Sequence, residues 1–243
     1  STFKRGIDFI NVPTTLLSMV DASVGGKTGI DLGALKNQIG VINQPVMVLV
    51  VPDFLDTLED RQVKKRICRN AKPWSIQDKD YWHSLKEAKN LEDMKNHILT
   101  SIQIKNEVVL QDPTEQHIRK ILNYGHTLGH AIESYFLENE SKEMLLHGEA
   151  IAIGMILEGY LSQKLLDLPQ EAMEDIKKTF LDRYDKVEFS DTDINNILKL
   201  MKYDKKNSHG KINFVLLKSI GEPKFDVEIP VTLFTEAFAY YKH

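Results

Sequence analysis

One cysteine, Cys68, is all the thiol chemistry that this 243-residue chain carries. No disulfide can brace the fold from within, and the composition suits a reducing compartment, the cytoplasm. Long apolar runs are missing too: nothing approaches the roughly 18 residues of a membrane-crossing helix, so no membrane partner is expected. The opening Ser1-Thr2-Phe3-Lys4-Arg5 has neither a signal-peptide apolar region nor an initiator methionine, and reads as a processed or internal start. An excess of positive charge is absent as well. With 31 Lys and Arg against 35 Asp and Glu the formal charge is -4, which argues against a general nucleic-acid binder. A small anionic ligand is compatible with that balance, because a local lysine cluster can oppose the global sign.

What is present is enough for a sizeable core in one or two domains, at 42% hydrophobic and 27% charged residues. Two textures follow one another along the chain. Ile7 to Val12 and Val46 to Val51 are short β-branched runs ended by Pro13 and Pro52, with a glycine-rich stretch from Ser23 to Gly40 between them. That order predicts strand, loop, short helix, strand. From about Asp56 the period turns helical, with segments at Asn96 to Val108, Ile118 to Phe136, Glu149 to Leu165, Gln170 to Tyr184 and Asp193 to Met201. A small hairpin is expected from Lys211 to Leu217 and Lys224 to Ile229, and a last helix from Thr232 to Tyr241. The expected fold is mostly α. Two strands without neighbours leave edges unpaired, so residues 1–55 are expected to be completed as an α/β domain by a preceding segment or by another chain.

The segment Val20 to Gly29 invites comparison with a phosphate-binding P-loop. The spacing fails, since G-x-x-x-x-G-K-[ST] ending at Lys27-Thr28 needs glycine where Asp21 stands. Flexible backbone with a lysine at hand remains, and an anion contact and an ordinary tight loop both stay open.

Histidines supply the sharper signal. His126 and His130 in Gly125-His126-Thr127-Leu128-Gly129-His130 are four apart and share a helix face, and His147 opens a later apolar helix in Leu146-His147-Gly148-Glu149. Such a set suits a divalent metal better than a structural role. Glu133 and Glu149 are nearby carboxylates, although Glu149, two residues after His147, points elsewhere on a helix. Lys105, Arg119 and Asn123, taken singly, read as a solvated helix face.

These motifs, taken in order, carry a resemblance. Val12-Pro13-Thr14-Thr15-Leu16-Leu17, Asp21 to Gly29 with Lys36-Asn37, the run from Lys105 through Arg119, Leu122-Asn123, His126 and His130, and Leu146 to Glu149 resemble the 3-dehydroquinate synthase family over most of residues 5 to 165. A weaker echo lies in Asp204-Lys205-Lys206. The resemblance implies an NAD- and divalent-metal-dependent enzyme, with zinc or cobalt, acting on a small anionic sugar phosphate and working as a homodimer. It implies the end of an α/β NAD-binding domain at 1–55 and a multihelical metal- and substrate-binding domain at 56–243. Metal ligands are implied at His126 and His147, and a substrate contact at His130. Asp21, Lys27, Asn37, Lys72, Lys105, Arg119, Asn123 and Lys205 match further catalytic positions, with Arg119 able to grip a carboxylate through two parallel hydrogen bonds. Thr14, Thr15, Lys27, Lys36, Phe54, Leu55, Asp56 and Thr57 match positions lining NAD.

Two departures from the family pattern stand out. The resemblance calls for about a hundred further residues ahead of Ser1, bearing the pyrophosphate loop and the acidic residue that grips the adenosine ribose. In addition, the family pattern G-x-A-E-x-x-K-x-G meets Arg66-Ile67-Cys68-Arg69-Asn70-Ala71-Lys72-Pro73-Trp74. Arg69 stands where the family's metal-binding carboxylate belongs, and a guanidinium repels a cation and has no lone pair to give it. One set of codons for residues 65–75, read a single nucleotide later, gives Ser-Gly-Tyr-Ala-Glu-Met-Leu-Asn-His-Gly-Leu, with glutamate at position 69. That reading points to compensating single-base shifts around the segment, although it does not restore Lys72.

Overall fold

The computed structural model describes residues 1, 3–32, 35–57, 78–88, 90–139, 141–207 and 212–243, with the backbone alone at 31–32, 35–38 and 202–207. Along the chain the elements are β1 (Ile10–Asn11), β2 (Lys27–Leu32), β3 (Leu35–Ile42), β4 (Met47–Val48), α1 (Lys79–Glu87), α2 (Leu91–Gln111), α3 (His126–Glu138), α4 (His147–Leu166), α5 (Gln170–Leu181), α6 (Asp191–Asn207), β5 (Asn213–Ser219), β6 (Glu222–Glu228) and α7 (Val231–Lys242). The architecture is mostly helical. None of the helices described is long and apolar enough to cross a membrane. Two compact units divide the chain, Ser1–Asn70 with Ala88–Arg119, and Ala71–Glu87 with Lys120–His243.

In the first unit β1 and β4 pair in parallel, Ile10 opposite Met47 and Asn11 opposite Val48. Ile10, Val12, Val46 and Met47 stay exposed, as a pair with apolar residues on both faces and no third strand among the described residues must leave them. The short helix expected between the two β-branched runs is replaced by an antiparallel hairpin of β2 and β3, with Gly29 opposite Gly40 and Ile30 opposite Ile39. Alternating β-branched residues favour the ladder, and Thr28 Oγ1 donates to the Val41 carbonyl at 2.9 Å. The helical residues lie just ahead, in a π-helical turn at Ser18–Ala22 that buries Met19 and Val20. Helix α2 packs on that turn. It starts in a reciprocal cap: Asp93 N donates to Asn90 Oδ1 at 2.9 Å and Asn90 N to Asp93 Oδ2 at 3.2 Å. Its buried stripe runs Met94, Ile98, Ser101, Lys105, Val108, the three- and four-residue steps of a helix face.

The second unit is built round α4, apolar on all sides because α3, α5, α7 and β5 pack against it. Strand β5 buries Phe214, Val215, Leu216 and Leu217, whereas its partner β6 alternates. The sequence predicts an unbroken helix from Ile118 to Phe136; instead a 3₁₀ turn at Ile118–Asn123 is followed by a turn through Tyr124 and Gly125 before α3. Gly125 takes φ 79°, and a β-carbon on it would run into the Met155 side chain and lie 3.0 Å from the Ile151 carbonyl. Only glycine meets both demands. Gly154 on α4 has its own β-carbon position filled by the Gly125 carbonyl, and Gly129 lies against Ile151. Helices α3 and α4 thus approach at backbone contact.

Candidate metal and anion centres

That close approach brings the three histidines together. Ring nitrogens of His126, His130 and His147 lie within 4.8 Å of one another, and the ring centroids are 5.3 to 5.9 Å apart. His126 and His147 are half-buried and His130 is exposed. His126 Nδ1 lies 3.2 Å from the Tyr124 carbonyl, and His147 Nδ1 lies 3.1 Å from Glu133 Oε2. Both partners accept, so a ring that donates from Nδ1 to its partner presents Nε2 to a cation. Three imidazoles converging in this way fit zinc or cobalt. Glu149 plays no part in the set: its Oε2 accepts from the Leu146 amide at 2.8 Å, capping α4. Asn123 is half-buried in the turn just ahead of α3.

The first unit gathers the expected anion-binding residues into a second cluster. Lys105, expected on a solvated face, is buried, and its Nζ lies 2.5 Å from both the carboxylate and the carbonyl oxygen of Asp21. The reason is its place on the apolar stripe of α2. Arg119 is 2% exposed, again against expectation. Its Nη1 donates to the Pro113 carbonyl at 2.7 Å and its Nη2 to the Gly25 carbonyl at 3.0 Å, which spends two of its N–H groups on backbone. Gly25 has φ 105°, and a β-carbon there would sit 2.5 Å from Arg119 Nη2. Lys27 pairs with Glu115. Burial, then repulsion from Arg119 and Lys105, pulls the Lys27 ammonium down to about 8, with Asp21 opposing. Asp112, which no sequence signal singled out, accepts from the amides of Gln116, His117 and Arg119 at 3.0, 2.7 and 3.1 Å, and so fixes the turn that presents Arg119.

The positions expected to line NAD are engaged locally. Thr15 Oγ1 lies 2.9 Å from Ser18 Oγ, Thr57 Oγ1 donates to the Phe54 carbonyl at 2.7 Å, and Asp56 pairs with Lys95 at 2.6 Å. Leu55 is core, while Thr14 and Phe54 are exposed. The side chains of Lys36, Asn37 and Lys205, and the segment holding Arg69 and Lys72, lie outside the described residues.

Residues 63–207 match the family model for the C-terminal part of 3-dehydroquinate synthase, and residues 1–65 match the model for its N-terminal part. The chain belongs to the 3-dehydroquinate synthase family. Curated family members agree: the 3-dehydroquinate synthase of Parabacteroides distasonis is 37% identical over all of this chain and 69% of its own length. That of Clostridium botulinum is 41% identical over 91% and 63%, and that of Helicobacter pylori strain P12 is 43% identical over 95% and 66%. The chain therefore spans about two-thirds of the length of these 3-dehydroquinate synthases. Among solved structures, 2-deoxy-scyllo-inosose synthase complexed with carbaglucose-6-phosphate, NAD+ and Co2+ superposes with a TM-score of 0.78 at 26% identity, over 97% of this chain and 67% of that one. A Streptomyces hygroscopicus 2-epi-5-epi-valiolone synthase with NAD+ and Zn2+ bound, 20% identical with a TM-score of 0.75 over 100% and 68%, shares the fold.

Proposed function

We propose that this chain is the metal- and substrate-binding part of a 3-dehydroquinate synthase, converting 3-deoxy-arabino-heptulosonate 7-phosphate to 3-dehydroquinate and phosphate with NAD and a zinc or cobalt ion. The convergence of His126, His130 and His147 within 4.8 Å carries the reading. Family membership and the NAD+ and Co2+ of the related inosose synthase support it. On this reading residues 1–55 end an NAD-binding domain and 56–243 form the helical domain, in a cytoplasmic homodimer.

The bound cation supplies Lewis-acid polarisation of substrate oxygens, and NAD a hydride acceptor. His126 and His147 hold the cation through Nε2, each ring oriented by the acceptor on its Nδ1. His130 faces the substrate phosphate. Lys105 and Arg119 hold the anionic substrate, Lys105 placed by its pairing with the Asp21 carboxylate. Lys27, Asn37, Asn123, Lys72 and Lys205 add polar contacts, and Thr14, Lys36 and the segment from Phe54 to Thr57 line NAD.

Phosphate release from the heptulosonate, assayed with added NAD and zinc or cobalt, tests this. Release is the expected outcome. Release only from a neutral sugar phosphate assigns the chain to another sugar-phosphate cyclase, and no release from any substrate makes it a non-catalytic fragment. Peptide mass spectrometry over residues 65–75 shows which reading frame the protein carries.

A further inference from the structure

Glu158 is a carboxylate with no exposure at all, in the middle of α4 among Met155, Leu157 and Leu161. Buried charge and buried polar atoms persist where something pairs with them. Here the partners are backbone amides: Gly125 N donates to Oε2 at 2.6 Å and Leu128 N to Oε1 at 3.3 Å. Both belong to the first turn of α3, whose leading N–H groups have no acceptor inside the helix. A helix ordinarily meets that need with a side chain at its own N-cap. The N-cap of α3 is Gly125, which has no side chain to offer. Glu158 does the capping from the neighbouring helix, through its two side-chain oxygens.

The consequence concerns the histidines. His126 is the first residue of α3 and His130 stands one turn on, while His147 opens the same helix that carries Glu158. We propose that Glu158 is a positioning residue for the histidine centre: by pinning the start of α3 to α4, its side-chain oxygens set where His126 and His130 stand relative to His147. One rigid helix, α4, then carries a cation ligand and the group that holds the helix of the other imidazoles in register. Tyr124 adds a second tie, its hydroxyl donating to the Met155 carbonyl at 2.9 Å. The glycine at 154 leaves the space that lets the two backbones meet.

The proposal rests on the reading of the histidines as a cation site. Its test is titration of the metal-free protein with Co2+, followed by the visible absorption of the bound ion, for wild type, Glu158→Gln and Glu158→Leu. The leucine variant removes both acceptors and should weaken Co2+ binding about 10-fold or more, in line with other groups that orient metal ligands. It should also alter the absorption band, because the nitrogen geometry changes. Glutamine keeps one acceptor oxygen and should recover part of the affinity, and it stands in if the leucine variant does not fold. Urea unfolding of the metal-free proteins separates the effect from lost stability, which alone leaves affinity per folded molecule unchanged. Wild-type affinity and spectrum in both folded variants overturn the proposal. If the wild type itself takes up no Co2+, the cation reading fails, and hydrogen exchange at the Gly125 and Leu128 amides decides the positioning claim. Faster exchange there in Glu158→Gln, with α5 unchanged, supports it; unchanged exchange refutes it.

Discussion

Gly25 leaves little tolerance for a side chain in the first unit. Its φ of 105° is strained for any residue with a β-carbon, and the space that carbon needs is held by the Arg119 guanidinium. Gly25→Ala should therefore lower stability by about 2–4 kcal/mol, read from urea unfolding; a change below about 0.5 kcal/mol would mean that Arg119 is not clamped there. Glu158 lends itself to a test by pH. Burial pushes its carboxyl up to about 8, against the pull of the amides of Gly125, Leu128 and Thr127. The native state then keeps a proton that the unfolded chain sheds above about 4.5. The stabilisation is complete below about 4.5 and is lost as pH rises through about 8. Glu158→Gln should flatten that decline, and superimposable stability profiles for the two proteins would contradict the assignment. The histidines are legible in sequence because a four-residue step fixes a shared face. Lys105 is legible in principle as well, since Met94, Ile98, Ser101, Lys105 and Val108 trace one stripe, but judged singly a lysine reads as solvent-facing. Glu158 and Asp112 leave no such trace, because their partners are backbone amides, which carry no side-chain signature.

At the scale of elements, the contact of α3 with α4 carries most weight. Gly154→Ala would drive a methyl group into the Gly125 carbonyl and to 2.8 Å from the Gly129 amide. The helices must part, at about 1–3 kcal/mol for overpacking. Because His126 and His130 ride on α3 and His147 on α4, Co2+ affinity should fall along with the urea midpoint. Loss of stability with undiminished affinity would uncouple the helix contact from the histidine centre. Helix positions follow from the sequence period to within a few residues for α4, α5 and α7, where amphipathic or wholly apolar patterning is long and uninterrupted. The break ahead of α3 is less legible, since the apolar period runs straight through Gly125 and only the packing against Met155 demands the left-handed turn. The β2–β3 hairpin escapes because glycines in a run rich in turn residues read equally well as a loop.

For the whole molecule, each unit holds one chemical set: cations around Asp21 and Glu115 in the first, imidazoles in the second. Of the residues at the NAD-lining positions, Thr15 and Thr57 bond to neighbours in the sequence and Asp56 pairs with Lys95. The function proposed here therefore leans most on the histidine centre. Arg69 stands where the resemblance places the family's metal-binding carboxylate, so the cation proposed for that centre rests chiefly on imidazole nitrogen. Elemental analysis of the purified chain beside His147→Ala addresses this directly. About one zinc or cobalt ion per wild-type chain is expected, and almost none in a folded His147→Ala variant; a wild type without metal, or a variant that retains it in full, would contradict the histidine assignment.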